Sequence, residues 1–241
     1  MGRSTPKKHN STPQHISPAR SPAPKPAQLD AHQKRLESML VDFARLRKTW
    51  NAFVLADGLK LAQRIVRGRK EALSNAAKAS VERDIQQLYL LKSLSKVEED
   101  CCKLADVVVD LTDTHKQMKA LEARGFALLA EVSRPRGPEQ AFQSPVWTSS
   151  ALATWSLAHY VETISSIVTS YTSALQLHQI LFESLVAHAD ASEQDKTVEA
   201  SSVDVQQANL SFWAAQPCID TDTEGLLDQV CKMEVYNWAS T

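Results

Sequence analysis

The sequence predicts an all-α fold: an elongated antiparallel three-helix coiled-coil-like bundle, with two short C-terminal helices and a disordered N-terminal tail. Three observations lead there. No proline occurs between Pro26 and Pro135, and a proline inside a helix costs about 3 kcal/mol, so a gap of that length is a helix signal. From Ser80 to Val132 apolar residues return every three or four positions, through Val81, Ile85, Leu88, Leu91, Leu94, Val97, Cys101, Leu104, Val108, Leu111, Met118 and Leu121. That is one apolar seam on a helix. No stretch alternates with the period of a strand, and no repeat of fixed period is present. A helix of about fifty residues is a rod of roughly 75 Å. A rod of that length outruns a compact core and buries its seam along other long helices.

The tail is residues 1–28. Six of the ten prolines lie in it, with Arg3, Lys7, Lys8, Arg20 and Lys25 and no acid. Such a segment buries too little apolar surface to offset its ordering entropy, which predicts disorder. Residues 29–134 predict a long helical hairpin. Its first helix starts near Leu29 or Asp30, with Asp30 as N-cap. Its seam reads Leu36, Leu40, Phe43, Leu46, Trp50, then Phe53 or Val54, Leu61 and Ile65. Gly58 interrupts that seam, as a bend or a point of close approach. Gly68, after Arg64 and Arg67, reads as a C-terminal stop. Ser74, Asn75 and Ser80 place the turn of the hairpin between 69 and 79. The second helix then runs to about Val132, with Ile85, Leu88 and Leu104 buried against its neighbours.

Residues 135–150 form a linker opened by Arg134-Pro-Arg-Gly-Pro138. Residues 151–241 hold the third helix and the C-terminal helices that pack on the hairpin. The third helix spans about Trp155 to Ala189. Polar residues 190–199 read as a loop. A short helix follows from about Val203 to Ala215, stopped by Pro217. Thr221 with Glu224 fits a capping box and opens the last helix.

The totals narrow the function. The chain has 241 residues and a net charge of −1, unlike a dedicated nucleic-acid binder, so no direct sequence-specific nucleic-acid binding is expected. Cys101, Cys102, Cys218 and Cys231 lack Cys-x-x-Cys spacing and read as reduced thiols of a cytosolic or nuclear protein. No apolar run reaches the roughly 20 residues that span a bilayer, and the N-terminus has no apolar core of a secretory signal, so no membrane is expected. Catalysis finds no motif: no Gly-rich phosphate loop, no Gly-x-Ser-x-Gly, no His-Glu-x-x-His. No catalytic, cofactor or metal site is expected. His115 sits on the long seam and reads as a packed, hydrogen-bonded side chain. Asp106, Asp110 and Asp113 read as a solvated face. Trp50, Trp155 and Trp213 fall on helix stripes as packing anchors, while Trp147 and Trp238 are interface candidates.

The tail carries short motifs of another kind. Thr5-Pro-Lys-Lys8 and Ser17-Pro-Ala-Arg20 fit the Ser/Thr-Pro-x-basic pattern of cyclin-dependent kinase substrates, and Thr12-Pro13 and Ser21-Pro22 are minimal forms. Thr5, Ser17, Thr12 and Ser21 are therefore phosphorylation candidates. The basic residues also suit nuclear localisation.

Three patches on the helices resemble one family. Trp50 is followed by Gly58-Leu-Lys-Leu-Ala62-Gln-Arg-Ile65; Thr154-Trp155-Ser-Leu-Ala-His159-Tyr160 enters the third helix; Leu210-Ser-Phe-Trp213-Ala-Ala-Gln216-Pro217 closes the fourth. In order and spacing they resemble the cyclin-dependent kinase 2-interacting protein family, over about residues 36–238. The spacing from Trp50 to Gly58 is one residue longer than in that family, and the loop between the first two helices is shorter. The resemblance implies a non-enzymatic nuclear adaptor in the cell cycle, linked to cyclin-dependent kinase, to a Cdc7-type kinase at replication origins and to DNA-damage checkpoint proteins. It also implies a place in an AAA-type ATPase complex acting in replisome turnover and ribosome maturation. From the residues alone, a structural coiled-coil subunit of a tether or spindle complex remains the alternative.

Overall fold

A computed structural model describes residues 26–78, 83–134, 151–152, 154–187 and 196–236. Among these the chain is all-helical, with no strand. Helix α1 is Pro26–Asn51, a π-helical stretch covers Ala52–Gly58, and α2 is Leu59–Lys78. These three run on without a break as one rod. Helix α3 is Arg83–Ser133, α4 is Leu157–Ala187, α5 is Lys196–Ala215 and α6 is Thr221–Cys231, which ends in a π-helical turn, Lys232–Tyr236.

The long helices pair along their apolar stripes with numbering that rises on one as it falls on the next. Arg35 meets Glu131 at 2.8 Å and Arg64 meets Asp100 at 2.8 Å, so α3 runs back along α1 and α2. Ser165 donates to Glu122 at 2.6 Å, and His115 bonds Thr172 at 2.9 Å, so α4 runs back along α3. The core lies between them and includes Leu36, Phe43, Trp50, Leu104, Leu111, Met118, Ile164 and Tyr171. Burying such side chains contributes about 1.5–3 kcal/mol each.

Several boundaries differ from the sequence reading. Helix α1 starts at Pro26, which has no N–H to lose and suits a first helical position, so Asp30 lies inside the helix rather than at its cap. Gly68 does not stop a helix. It sits within α2, where a Cβ would come within 2.8 Å of Val97, so it lets α2 and α3 approach closely. Helicity then continues through the stretch assigned to the hairpin turn, as far as Lys78. The side chains there anchor it: Ala72 is buried, and so is Arg69, which donates to the Leu185 carbonyl at the end of α4.

Helix α5 begins at Lys196, inside the segment read as a loop. The last helix is capped not by Thr221 but by Asp220, whose side chain accepts from the Thr223 N–H at 3.0 Å; Thr221 is the first helical residue. Trp155 lies ahead of α4, not on it. Leu88 is not buried: it is 66% exposed, and Tyr89, Leu91 and Leu94 are exposed beside it. Near the last described turn of α4, the Leu185 carbonyl accepts from Arg69, which lies near Cys101 at 4.0 Å, so these residues of α3 lie beyond the described part of α4. Leu104 is fully buried, and the Ile85 side chain lies outside the described residues. Among the described residues no helix is long and apolar enough to cross a membrane.

Candidate functional site

The site is built around the π-helical stretch. In a π-turn each N–H reaches back five residues, and here Leu59 N–H bonds the Val54 carbonyl. The turn is wide, and that carbonyl takes a second donor. Trp213 of α5 donates its indole N–H to Val54 O at 3.1 Å. Its ring lies against Gly58, where a Cβ would meet Trp213 Cζ2 at 2.8 Å and Nε1 at 3.0 Å. Only glycine leaves the room the indole fills.

Trp50 makes the reciprocal bond. Its indole N–H donates to Gln216 Oε1 at 2.9 Å, and Gln216 Nε2 donates to Asn51 Oδ1 at 3.3 Å. Gln216 has a φ of 46°, the left-handed region. Pro217 disfavours right-handed helix at the residue before it, so α5 ends there and the backbone reverses. Gln216 N–H still bonds Phe212 O at 3.2 Å, and its carbonyl accepts from Ile219 at 3.0 Å. The strained conformation, of order 1–3 kcal/mol, is thus held by four hydrogen bonds of one residue.

His178 of α4 stands between the two indoles. Its ring is perpendicular to both, with centroids 6.0 Å from Trp50 and 4.7 Å from Trp213. Nδ1 faces the Ala174 carbonyl at 2.7 Å and so carries the proton. Burial lowers the His178 pKa, against the pull of the Ala174 and Trp213 carbonyls, and the ring is neutral. Tyr171 completes the cluster, edge-on to Trp50 at 5.0 Å. Trp50, Trp213, Tyr171 and His178 are all fully buried, as are Ala62 and Ile65, which continue the stripe beyond Gly58. The hub fastens α1, α2, α4 and α5 to one another.

A second cluster gathers the other patch. Ser156 precedes α4 and accepts from the His159 N–H at 3.3 Å, the geometry of an N-cap. Trp155 packs edge-on against His159 at 4.4 Å and tilted against Tyr160 at 5.2 Å. Thr154 N–H donates to Glu234 at 2.6 Å, and the hydroxyls of Thr154 and Tyr160 donate to the same carboxylate. Glu234 is only 3% exposed, so these donors replace its water. Burial first, and then Glu234, hold the Tyr160 hydroxyl well above its usual pKa.

Between the clusters, buried Arg47 of α1 reaches α6. It pairs with Asp228 and lies 3.7 Å from Glu224, with its guanidinium over the Phe43 ring. Burial raises the Glu224 pKa, opposed by the Tyr171 hydroxyl and Arg47.

The structure thus brings Trp50, Gly58, Trp213 and Gln216 into one hub, with Ala62 and Ile65 on its stripe and Pro217 as its stop. It brings Thr154, Trp155, His159 and Tyr160 to a second cluster. Thr5, Thr12, Ser17, Ser21, Trp147 and Trp238 lie outside the described residues. His115 is a buried seam residue bonded to Thr172, and Asp106, Asp110 and Asp113 are exposed. Sequence reasoning missed Glu234, Arg47 and the π-turn. The one signal for the π-turn was the unresolved choice between Phe53 and Val54. Among the described residues no group of His, Cys, Asp and Glu is arranged to hold a metal ion. Chemically, both clusters do the same thing: they bury aromatic and polar groups between helices and lock the helices together, although in the hub His178 Nε2 and the Tyr171 hydroxyl are buried without a hydrogen-bond partner among the described residues. No family model matches the chain, and no curated protein matches it.

Proposed function

We propose that this chain is a non-enzymatic nuclear adaptor of the cyclin-dependent kinase 2-interacting protein type. Its body is an elongated three-helix coiled-coil-like bundle that presents surfaces to cyclin-dependent kinase, a Cdc7-type kinase and origin or checkpoint proteins. A role within an AAA-type ATPase complex in replisome turnover and ribosome maturation belongs to the same reading. The observation that supports it most is where the resemblance falls. Trp50 and Gly58 on one side, and Trp213 and Gln216 on the other, are far apart in sequence yet bond or pack against one another. Residues that share such a hub are the ones a family resemblance would mark. A direct test mixes the full chain with a purified cyclin-dependent kinase–cyclin pair, a Cdc7-type kinase, or an AAA-type ATPase, and measures co-elution. Co-elution with at least one supports the adaptor reading; co-elution with none sinks it.

A structural coiled-coil subunit of a tether or spindle complex is the second reading. Exposed Leu88, Tyr89, Leu91 and Leu94 near the start of α3 favour it, since a neighbouring helix would cover them.

A further inference from the structure

One groove borders the first cluster on its outer side. It runs between α2 and α5, has a volume of about 510 Å³, and is floored by Leu59, Val66, Leu210 and Ala214. Arg67 and Lys70 stand on its α2 rim. Both are exposed, and neither makes an ion pair among the described residues. We propose that this groove docks a short acidic amphipathic helix of a partner protein.

Three features of the groove select that occupant. The first is shape. The groove follows α2 from Leu59 to Lys70, about three turns, and α5 from Gln207 to Ala214, about two turns, so its walls run for roughly 10–17 Å, the length of a helix of about 7–12 residues. The second is backbone chemistry. Both walls are helices, whose N–H and C=O groups are already paired, so the groove offers no strand edge. An extended peptide would lay unpaired backbone on an apolar floor, whereas a helix brings its own hydrogen bonds. Apolar residues at three- and four-residue spacing would fill the floor between the walls. The third is charge. Arg67 and Lys70 beside apolar surface attract carboxylates and repel bases. That excludes the chain's own N-terminal tail, which has five basic residues and no acid in residues 1–28.

This inference rests on the adaptor reading and gives one partner surface its chemistry. The test pans a display library of random 14-residue peptides on the full chain. Enriched peptides are expected to carry apolar residues at helical spacing flanked by Asp or Glu. A labelled representative, measured by fluorescence anisotropy, should bind at least tenfold more weakly to Arg67→Glu/Lys70→Glu and to its milder counterpart Arg67→Ser/Lys70→Ser. Circular dichroism should show both variants folded. Enriched peptides without acids, or binding unchanged in both variants, would overturn the proposal. The acidic segment with Asp190, Glu193 and Asp195 is a rival occupant. A tenfold gain in peptide binding when all three become Ser would assign the groove to it and overturn the partner; no change is expected. A concentration-dependent dimer that Arg67→Glu/Lys70→Glu abolishes would assign the groove to a second copy and overturn the partner likewise. The two failures are distinguishable: a kinase or AAA-type ATPase that co-elutes equally with parent and groove variants would sink the groove alone, whereas co-elution of none of them with either would sink the adaptor reading and the groove's partner with it.

Discussion

Gly58→Ala tests the hub through its tightest contact. A methyl there would sit 2.8 Å from Trp213 Cζ2, 3.0 Å from its Nε1 and 3.0 Å from the Phe53 carbonyl. The ring has nowhere to go: Trp213 is fully buried, tied to Val54 O and faced by His178. Overpacking of that kind costs about 1–3 kcal/mol. Helix propensity works the other way, since Ala is better than Gly in a helix by about 0.8–1 kcal/mol. The clash wins in the parent, and Gly58→Ala should destabilise. Trp213→Ala alone should cost about 3–5 kcal/mol, the loss on deleting a large buried aromatic. In that background the clash with the ring is gone and only the Phe53 carbonyl remains close. Gly58→Ala should then cost much less, a coupling of about 1 kcal/mol or more. Urea unfolding followed by circular dichroism measures all four proteins. If Gly58→Ala costs the same with and without Trp213, the glycine is not a socket for that ring and the hub is wrong.

Leu104→Asp places an unpaired charge at a fully buried site and should cost several kcal/mol, while Leu88→Asp, at a position 66% exposed, should change stability by less than about 0.5 kcal/mol; equal melting shifts would contradict the packing. Tyr160→Phe removes one of the donors to buried Glu234 and should cost about 1–3 kcal/mol, with an unchanged unfolding midpoint as the contrary result. Burial lowers the His178 pKa below 6.5, so the unfolded chain binds more protons as pH falls from about 6.5, and stability should drop over that range and stay flat above it. Glu224, raised above 4.5, acts with the opposite sign, losing stability as pH rises through its folded value. It is present in both proteins when parent is compared with His178→Gln, whose stability should fall less between about pH 7 and 5.5; parallel curves would contradict the assignment. Thr5 and Ser17 should be phosphorylated in dividing cells, each phosphate adding about −1.5 to −2 charges to a basic tail; phosphosite mapping that finds both always unmodified would contradict this.

Helix existence was legible because it rests on local signals. The proline gap and the apolar seam marked α1–α3, and Pro217 marked the end of α5. The register at Phe53 and Val54 was not. A π-turn adds about a residue per turn, so successive steps of four, Trp50, Val54, Gly58 and Ala62, stay on one buried stripe, where a 3.6-residue pattern would drift off it. The misreading of Leu88 has a different origin. Its seam looks like that of Leu104, and periodicity marks an apolar face without saying whether a neighbour reaches it. Of the candidate residues, Trp50 and Trp213 were legible as packing anchors, because large rings on a stripe are buried wherever the stripe lands. Their partners were not. The bonds from Trp50 to Gln216, from Arg47 to Asp228 and from Tyr160 to Glu234 join segments distant in sequence, and no local pattern pairs them.

The proposed role of this chain is to connect other proteins in the nucleus, with no catalysis of its own. Affinity purification of the full chain from native dividing cells, with quantitative mass spectrometry of what accompanies it, tests that most directly. The adaptor reading predicts cell-cycle kinases, origin or checkpoint proteins, or subunits of an AAA-type ATPase complex, in stoichiometric rather than trace amounts. Recovery of only tether or spindle components, with none of these, would contradict it.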